Sequence, residues 1–127
     1  FSRCGSLQIF EIPDGVTSIG GSAFSGCSAL QSVVIPEGVT SIGAYAFYRC
    51  SSLQSVEIPE SVVLIGTYTF QYCNQLISVR FESTAGWSVS ASSSGGGTAL
   101  SESDLSDPAV AAEYLTDTYC SYYWSRK

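Results

Sequence analysis

Cysteines stand at Cys4, Cys27, Cys50 and Cys73, a constant step of 23 residues. The same step carries Leu7, Leu30, Leu53 and Leu76, then Phe10, Val33, Val56 and Val79, then Ile12, Ile35, Ile58 and Phe81. It continues through Pro13, Pro36 and Pro59, through Val16, Val39 and Val62, and through Ile19, Ile42 and Ile65, each of these last followed by Gly20, Gly43 or Gly66. Phe24, Phe47 and Phe70 complete the register. Self-similarity at a fixed period of this length marks an array of stacked supersecondary units, each too small to bury its apolar face alone.

Written once, the unit is C-x-x-L-x-x-V/F-x-I/F-P-D/E-x-V-x-x-I-G-x-x-A/T-F-x-x. Val33 and Ile35 alternate as in a strand, which Pro36 closes because it has no amide to donate. A turn follows, and Val39 to Ile42 reads as a second short strand. Gly43 then supplies a bend before a short helical or 3₁₀ turn around Ala46 and Phe47. A lone coil buries too few apolar side chains to offset the ordering of its backbone. Stacking about 4.8 Å apart pairs the strand amides in a parallel ladder and closes the apolar columns into one core.

The run Leu30-x-x-Val33-x-Ile35-Pro36-x-x-Val39-Thr40-Ser41-Ile42-Gly43-x-x-Ala46-Phe47-x-x-Cys50 resembles the BspA-type leucine-rich repeat. The resemblance covers residues 1 to about 82, with three full units between partial ones. It implies a right-handed leucine-rich-repeat solenoid of the α+β repeat class, with 23-residue coils, found mainly in exported or surface-attached proteins of bacteria and some protists. It also implies an adhesive or protein-binding module, with no family active site to carry over.

Both ends of the array carry expectations. Phe1-Ser-Arg-Cys4 aligns with Phe24-Ser-Gly-Cys27, so the sequence opens inside a coil. This reads as a cut within a longer array, whose open N-terminal edge is available for self-association. The solenoid is assigned to residues 1–82 and a C-terminal capping segment to 83–127. There Ala85 stands in the Val62 column, but Ser88 replaces Ile65 and no further cysteine follows in register. Trp87, Val89 and Ala91 alternate with serines as a strand, and Ser92 to Thr98 is a loop. Ser106-Asp107-Pro108 opens one helix, from about Pro108 to Thr116, with Val110, Ala111, Tyr114 and Leu115 on its apolar face. The aromatic run Tyr119 to Trp124 is a candidate final strand, and the close on Trp124-Ser-Arg-Lys127 reads as the parent protein's C-terminus.

Composition narrows the chemistry. The chain of 127 residues has no histidine, which removes Ser-His and Cys-His hydrolases and imidazole-based zinc or iron sites. No G-x-S-x-G elbow or S-x-x-K motif occurs, and no paired carboxylates sit in a recognisable strand-end setting. The expectation is a protein that is not an enzyme and needs no cofactor. Five Lys and Arg against a net charge of −6 make nucleic acid and anionic membranes poor partners. No apolar run reaches the roughly 18 residues of a membrane span.

The cysteines lack the close spacing of a metal cluster, and stacking sets them along a line rather than around a point. They read as a buried, reduced core column, with a disulfide between neighbours or between Cys73 and Cys120 as the alternative. Asp14, Glu37 and Glu60 form a carboxylate column, weighed as a calcium ladder against solvated turn residues. No metal site is expected.

Candidate partner-binding residues fall in two sets. Ser22, Tyr45 and Tyr68 share a column with Tyr48 and Tyr72 nearby, and phenols on an outer turn suit protein or glycan contact. The alternative is packing against neighbouring coils or the cap. On the outward strand face lie Ile9, Ser32, Ser55 and Ser78, then Glu11, Val34, Glu57 and Arg80. Three roles follow: a protein-binding or adhesion module at a bacterial cell surface or outside the cell, a spacer and cap whose binding coils lie upstream, or a glycan-binding module that uses the tyrosines.

Overall fold

A computed structural model describes residues 8–84, 86–90 and 97–126. The expectations placed on Phe1 to Leu7, including the open N-terminal edge and Cys4, and those on Ala85, Ala91, most of the Ser92–Thr98 loop and Lys127 lie outside the described residues.

Each coil contributes two short strands. β1 (Ile9–Glu11) and β2 (Ser18–Ile19) belong to the first, β3 (Ser32–Val34) and β4 (Ser41–Ile42) to the second, and β5 (Ser55–Ile58) and β6 (Leu64–Ile65) to the third; β7 (Ser78–Phe81) opens a fourth. β1, β3, β5 and β7 form one parallel sheet, in which Phe10 pairs with Val33 and Val56 with Val79. β2, β4 and β6 start a second, with Ile19, Ile42 and Ile65 in register. The sequence period is thus the pairing register, and the chain is a leucine-rich-repeat solenoid.

The columns close the core. Leu30, Leu53, Val39, Val62, Phe47, Phe70, Cys27 and Cys50 are fully buried, with Cys73 nearly so. Phe24, Phe47 and Phe70 stack at 5.2 and 5.3 Å between centroids, almost coplanar in orientation. The cysteines also link coils. Cys50 Sγ donates to Phe24 O and Cys73 Sγ to Phe47 O, each at 3.1 Å. Burial pushes the Cys50 thiol up to about 12 and raises that of Cys73 as well. Cys73 and Cys120 are free thiols.

The glycine column has a different cause from the bend expected of it. An added Cβ at Gly43 would meet Gly21 N at 2.5 Å, and one at Gly66 would meet Ala44 N at 2.4 Å. Neither glycine needs a left-handed backbone; each is there because the neighbouring coil passes too close for a methyl group.

Past β7 the chain changes its way of pairing. β8 (Trp87–Ser90), β9 (Thr98–Ala99) and β10 (Tyr123–Arg126) extend the second sheet in the order β6-β10-β8-β9, all antiparallel. β10 sets Trp124 beside Ile65, so this residue from the far end of the chain continues the isoleucine column that Ser88 leaves empty. Trp124 and Trp87 are buried around Phe81, and their indole N–H groups donate to Tyr119 O and Ser83 O.

α1 (Glu102–Leu105), not anticipated, is capped by Ser101, whose Oγ accepts from Asp104 N. α2 (Pro108–Glu113) starts as the sequence indicates, with Asp107 accepting from Ala109 N, and the chain then widens into a π-helical turn over Tyr114–Thr118. Buried Ala111 and Ala112 let α2 pack on β7. The final strand lies at Tyr123–Arg126 rather than Tyr119–Trp124, because residues 119–122 are spent in a turn closed by Tyr122 N to Tyr119 O.

Candidate functional site

The expected helical turn around Ala46 and Phe47 is instead a chain of tight turns. Ala46 N donates to Gly43 O, Tyr48 N to Tyr45 O and Cys50 N to Phe47 O. Tyr45 and Arg49 take left-handed conformations, φ 61° and 60°; Tyr68 and Tyr72 do so in the third coil at 58° and 63°, and Ser22 and Gly26 in the first. These turns free alternate amides for the stack. Tyr45 N, Phe47 N and Arg49 N donate to Thr67 O, Thr69 O and Gln71 O, as Ser22 N, Phe24 N and Gly26 N donate to the second coil. A helix would direct those amides to its own carbonyls and give nothing to the next coil. At the last coil Tyr68 N finds Cys120 O, so the C-terminal segment supplies the acceptor a further coil would have offered.

This geometry aims the left-handed side chains outward. Tyr45 and Tyr68 stack at 5.3 Å and 23°, Tyr45 meets Tyr48 edge-on at 5.1 Å, and Tyr48 meets Tyr72 at 5.5 Å. Tyr45 is 38% and Tyr72 48% exposed, with Tyr48 and Tyr68 half-buried. All four tyrosines singled out from the sequence therefore form one patch, packed on one another yet open to solvent. Arg49 joins them, its guanidinium 5.4 Å from the Tyr48 ring centre and 5.2 Å from that of Tyr72. Column reasoning passes over Arg49 because its column, Arg3, Gly26, Arg49 and Tyr72, mixes residue types. Its signal is positional, since Gly26 marks the place as left-handed.

The second set, Glu11, Val34, Glu57 and Arg80, forms one exposed row on the first sheet and does not join the tyrosine patch. Glu11 lies beside Val34, and Glu57 beside Arg80, where opposite charges face each other across the strands. Val34, 51% exposed, is its apolar member, and Ile9, 69% exposed, lies in the neighbouring row beside Ser32. At its margin the Glu82 carboxyl is raised by its hydrogen bond to Glu37. Asp14, Glu37 and Glu60 are all exposed. Among the described residues no group of three or more Cys, Asp or Glu side chains is arranged to hold a metal ion.

Residues 1–102 match the family model of the BspA type leucine rich repeat region, and the chain belongs to that family. Among solved structures it is similar to a leucine rich cell surface protein of Faecalibacterium prausnitzii, with 36% identity and a TM-score of 0.62 over 71% of this chain. It is likewise similar to a leucine-rich repeat protein of Eubacterium ventriosum, with 31% identity and a TM-score of 0.60 over 64% of this chain. The matches span only 23% and 22% of those two proteins. No curated protein matches the chain significantly. No helix among the described residues is long and apolar enough to cross a membrane.

Proposed function

We propose that the chain is a non-catalytic adhesion module of a bacterial cell-surface protein and that it contacts a protein partner through the tyrosine patch of its turns. The observation that carries this reading is where the strain falls. A left-handed conformation costs a non-glycine residue roughly 1–2 kcal/mol, and the second and third coils place Tyr45, Arg49, Tyr68 and Tyr72 at such positions. Folding alone would favour glycine or asparagine there. Left-handed backbone under large exposed side chains is the arrangement expected of a contact surface. Aromatic rings with polar tips, gathered round an arginine, are also the side chains that dominate binding energy at protein interfaces. Family membership and the cell-surface neighbour support the location.

Surface plasmon resonance against a panel of immobilised extracellular-matrix proteins tests the reading. The expected result is saturable binding that the Tyr45→Ala/Tyr68→Ala double variant, shown by circular dichroism to be folded, weakens at least about tenfold. Unchanged binding by that variant removes the tyrosine patch from the contact. A chain that binds no matrix protein, where a longer stretch of the parent protein does, is a spacer instead.

A further inference from the structure

Beside the tyrosine patch runs a groove of about 430 Å³ lined by Gly26, Ser28, Arg49, Ser51, Tyr72 and Asn74. Its two walls are neighbouring columns of the repeat. One carries Gly26, Arg49 and Tyr72, and the other Ser28, Ser51 and Asn74. We propose that this groove binds a carboxylated sugar, of the uronic or sialic acid kind, with Arg49 on the carboxylate, the Tyr72 ring against a sugar face, and Ser28, Ser51 and Asn74 on the hydroxyls. The proposal rests on the reading of this face as a contact surface and names the chemistry of what it holds.

Three observations carry it. First, Arg49 makes no ion pair among the described residues; its guanidinium lies 5.4 and 5.2 Å from the centres of two phenol rings. An arginine whose neighbours are aromatic rings rather than carboxylates keeps its fork of donors for an outside anion. Second, the groove is unsuited to a peptide. On its first wall the amides of Gly26 and Arg49 already donate, to Tyr48 O and Gln71 O, and are not available to pair with an added strand. It offers ring faces, hydroxyls and one amide but no aliphatic pocket for an anchoring side chain. Flat rings for C–H faces beside short polar groups for hydroxyls are what a pyranose needs. Third, the first coil fills the same left-handed place with Gly26, φ 76°, where the hand is easily adopted, whereas Arg49 and Tyr72 hold it at 60° and 63°. The strain falls on the two side chains that would grip the ligand.

Isothermal titration calorimetry of the whole chain with tetragalacturonate and with its methyl ester tests the carboxylate directly, since the two differ only in that group. Parallel titrations with 3′-sialyllactose and lactose distinguish a sialic from a uronic source. The expected result is binding of at least one acidic sugar, with its neutral counterpart at least about tenfold weaker. Arg49→Gln abolishes that difference, whereas Arg49→Lys keeps part of it, and added salt weakens the acidic sugar alone. Equal binding of acid and neutral forms by the wild-type chain overturns the proposal without any variant. So does failure of both acidic sugars to bind at millimolar concentration. Binding of hexaglutamate in place of the sugars makes this an acidic-peptide site. Loss of matrix-protein binding in Tyr45→Ala/Tyr68→Ala with no sugar binding leaves the protein-contact reading standing and removes this one.

Discussion

Replacing Gly66 by alanine puts one methyl group where the backbone of the neighbouring coil already stands. The added Cβ lies 2.4 Å from Ala44 N, 2.7 Å from Ala44 Cα and 2.9 Å from Gly43 C. All three are main-chain atoms, held by the bonds that join the coils, among them Gly66 N to Ile42 O at 2.8 Å and Tyr45 N to Thr67 O at 3.0 Å. No side-chain rotation relieves the contact, so the coils must part by the better part of an ångström and stretch these bonds. Overpacking a well-filled interior costs about 1–3 kcal/mol, and a clash with backbone alone belongs at the upper end. For a chain of this size that lowers Tm by about 10 °C. Gly20 occupies the same column, yet a Cβ there meets nothing within 4 Å. Gly20→Ala is therefore neutral, or stabilising by a few tenths to about 1 kcal/mol through the unfolded chain. Thermal unfolding followed by far-ultraviolet circular dichroism on the two single variants and on Gly43→Ala measures the contrast. Equal melting temperatures for Gly66→Ala and Gly20→Ala would refute the close-approach account and return the column to the role of a simple bend.

The C-terminal segment gives the next prediction: Trp124→Ala empties the place beside Ile65 and lowers stability by about 3–5 kcal/mol in urea unfolding, whereas a chain that unfolds as the wild type does not need that strand. The cysteine column is tested by alkali. Cys50 ionises at an ordinary thiol value of 9.0 when unfolded and near 12 when folded, so the unfolded state loses its proton first; stability is complete below pH 9 and falls as pH rises toward 12. The urea midpoint should drop over that window and drop less steeply in Cys50→Ala, and a flat profile counts against the buried thiols. At the turns, Arg49→Asn keeps or raises the melting temperature, since asparagine accepts the left-handed backbone more readily; a loss of several degrees means that Arg49 serves the fold rather than the surface.

The core was legible from residue spacing because every inward column repeats a residue type, from Leu30 and Leu53 to Phe47 and Phe70, and a 23-residue step admits one stacking register. The reason for Gly43 and Gly66 was not, since close approach is a relation between coils and a single unit shows only a glycine before a turn. The left-handed turns hid for a related reason. Tyr45, Arg49 and Tyr72 are residue types that rarely take that conformation, and only Gly26 in the first coil marks it. In the C-terminal segment, Asp107-Pro108 announces α2 plainly, and Ser101 with Asp104 three residues on is a capping signature for α1, weak by itself because the helix it opens is only four residues long. The pairing of Trp124 with Ile65 is long-range and antiparallel, outside anything a parallel repeat can announce. As for the candidate surface, the four tyrosines were visible as exposed aromatics, but their meeting with Arg49 depends on turns that only the folded chain defines.

The most direct test of the account is an amide chemical-shift map of the isotope-labelled chain titrated with tetragalacturonate and, separately, with a matrix protein that it binds. The perturbed amides are expected on the turns, around Tyr45 to Ser51 and Tyr68 to Asn74, with the sugar centred on Arg49 and Tyr72. Shifts gathered instead on the row of Glu11, Val34, Glu57 and Arg80 would contradict it and move the contact to the strand face.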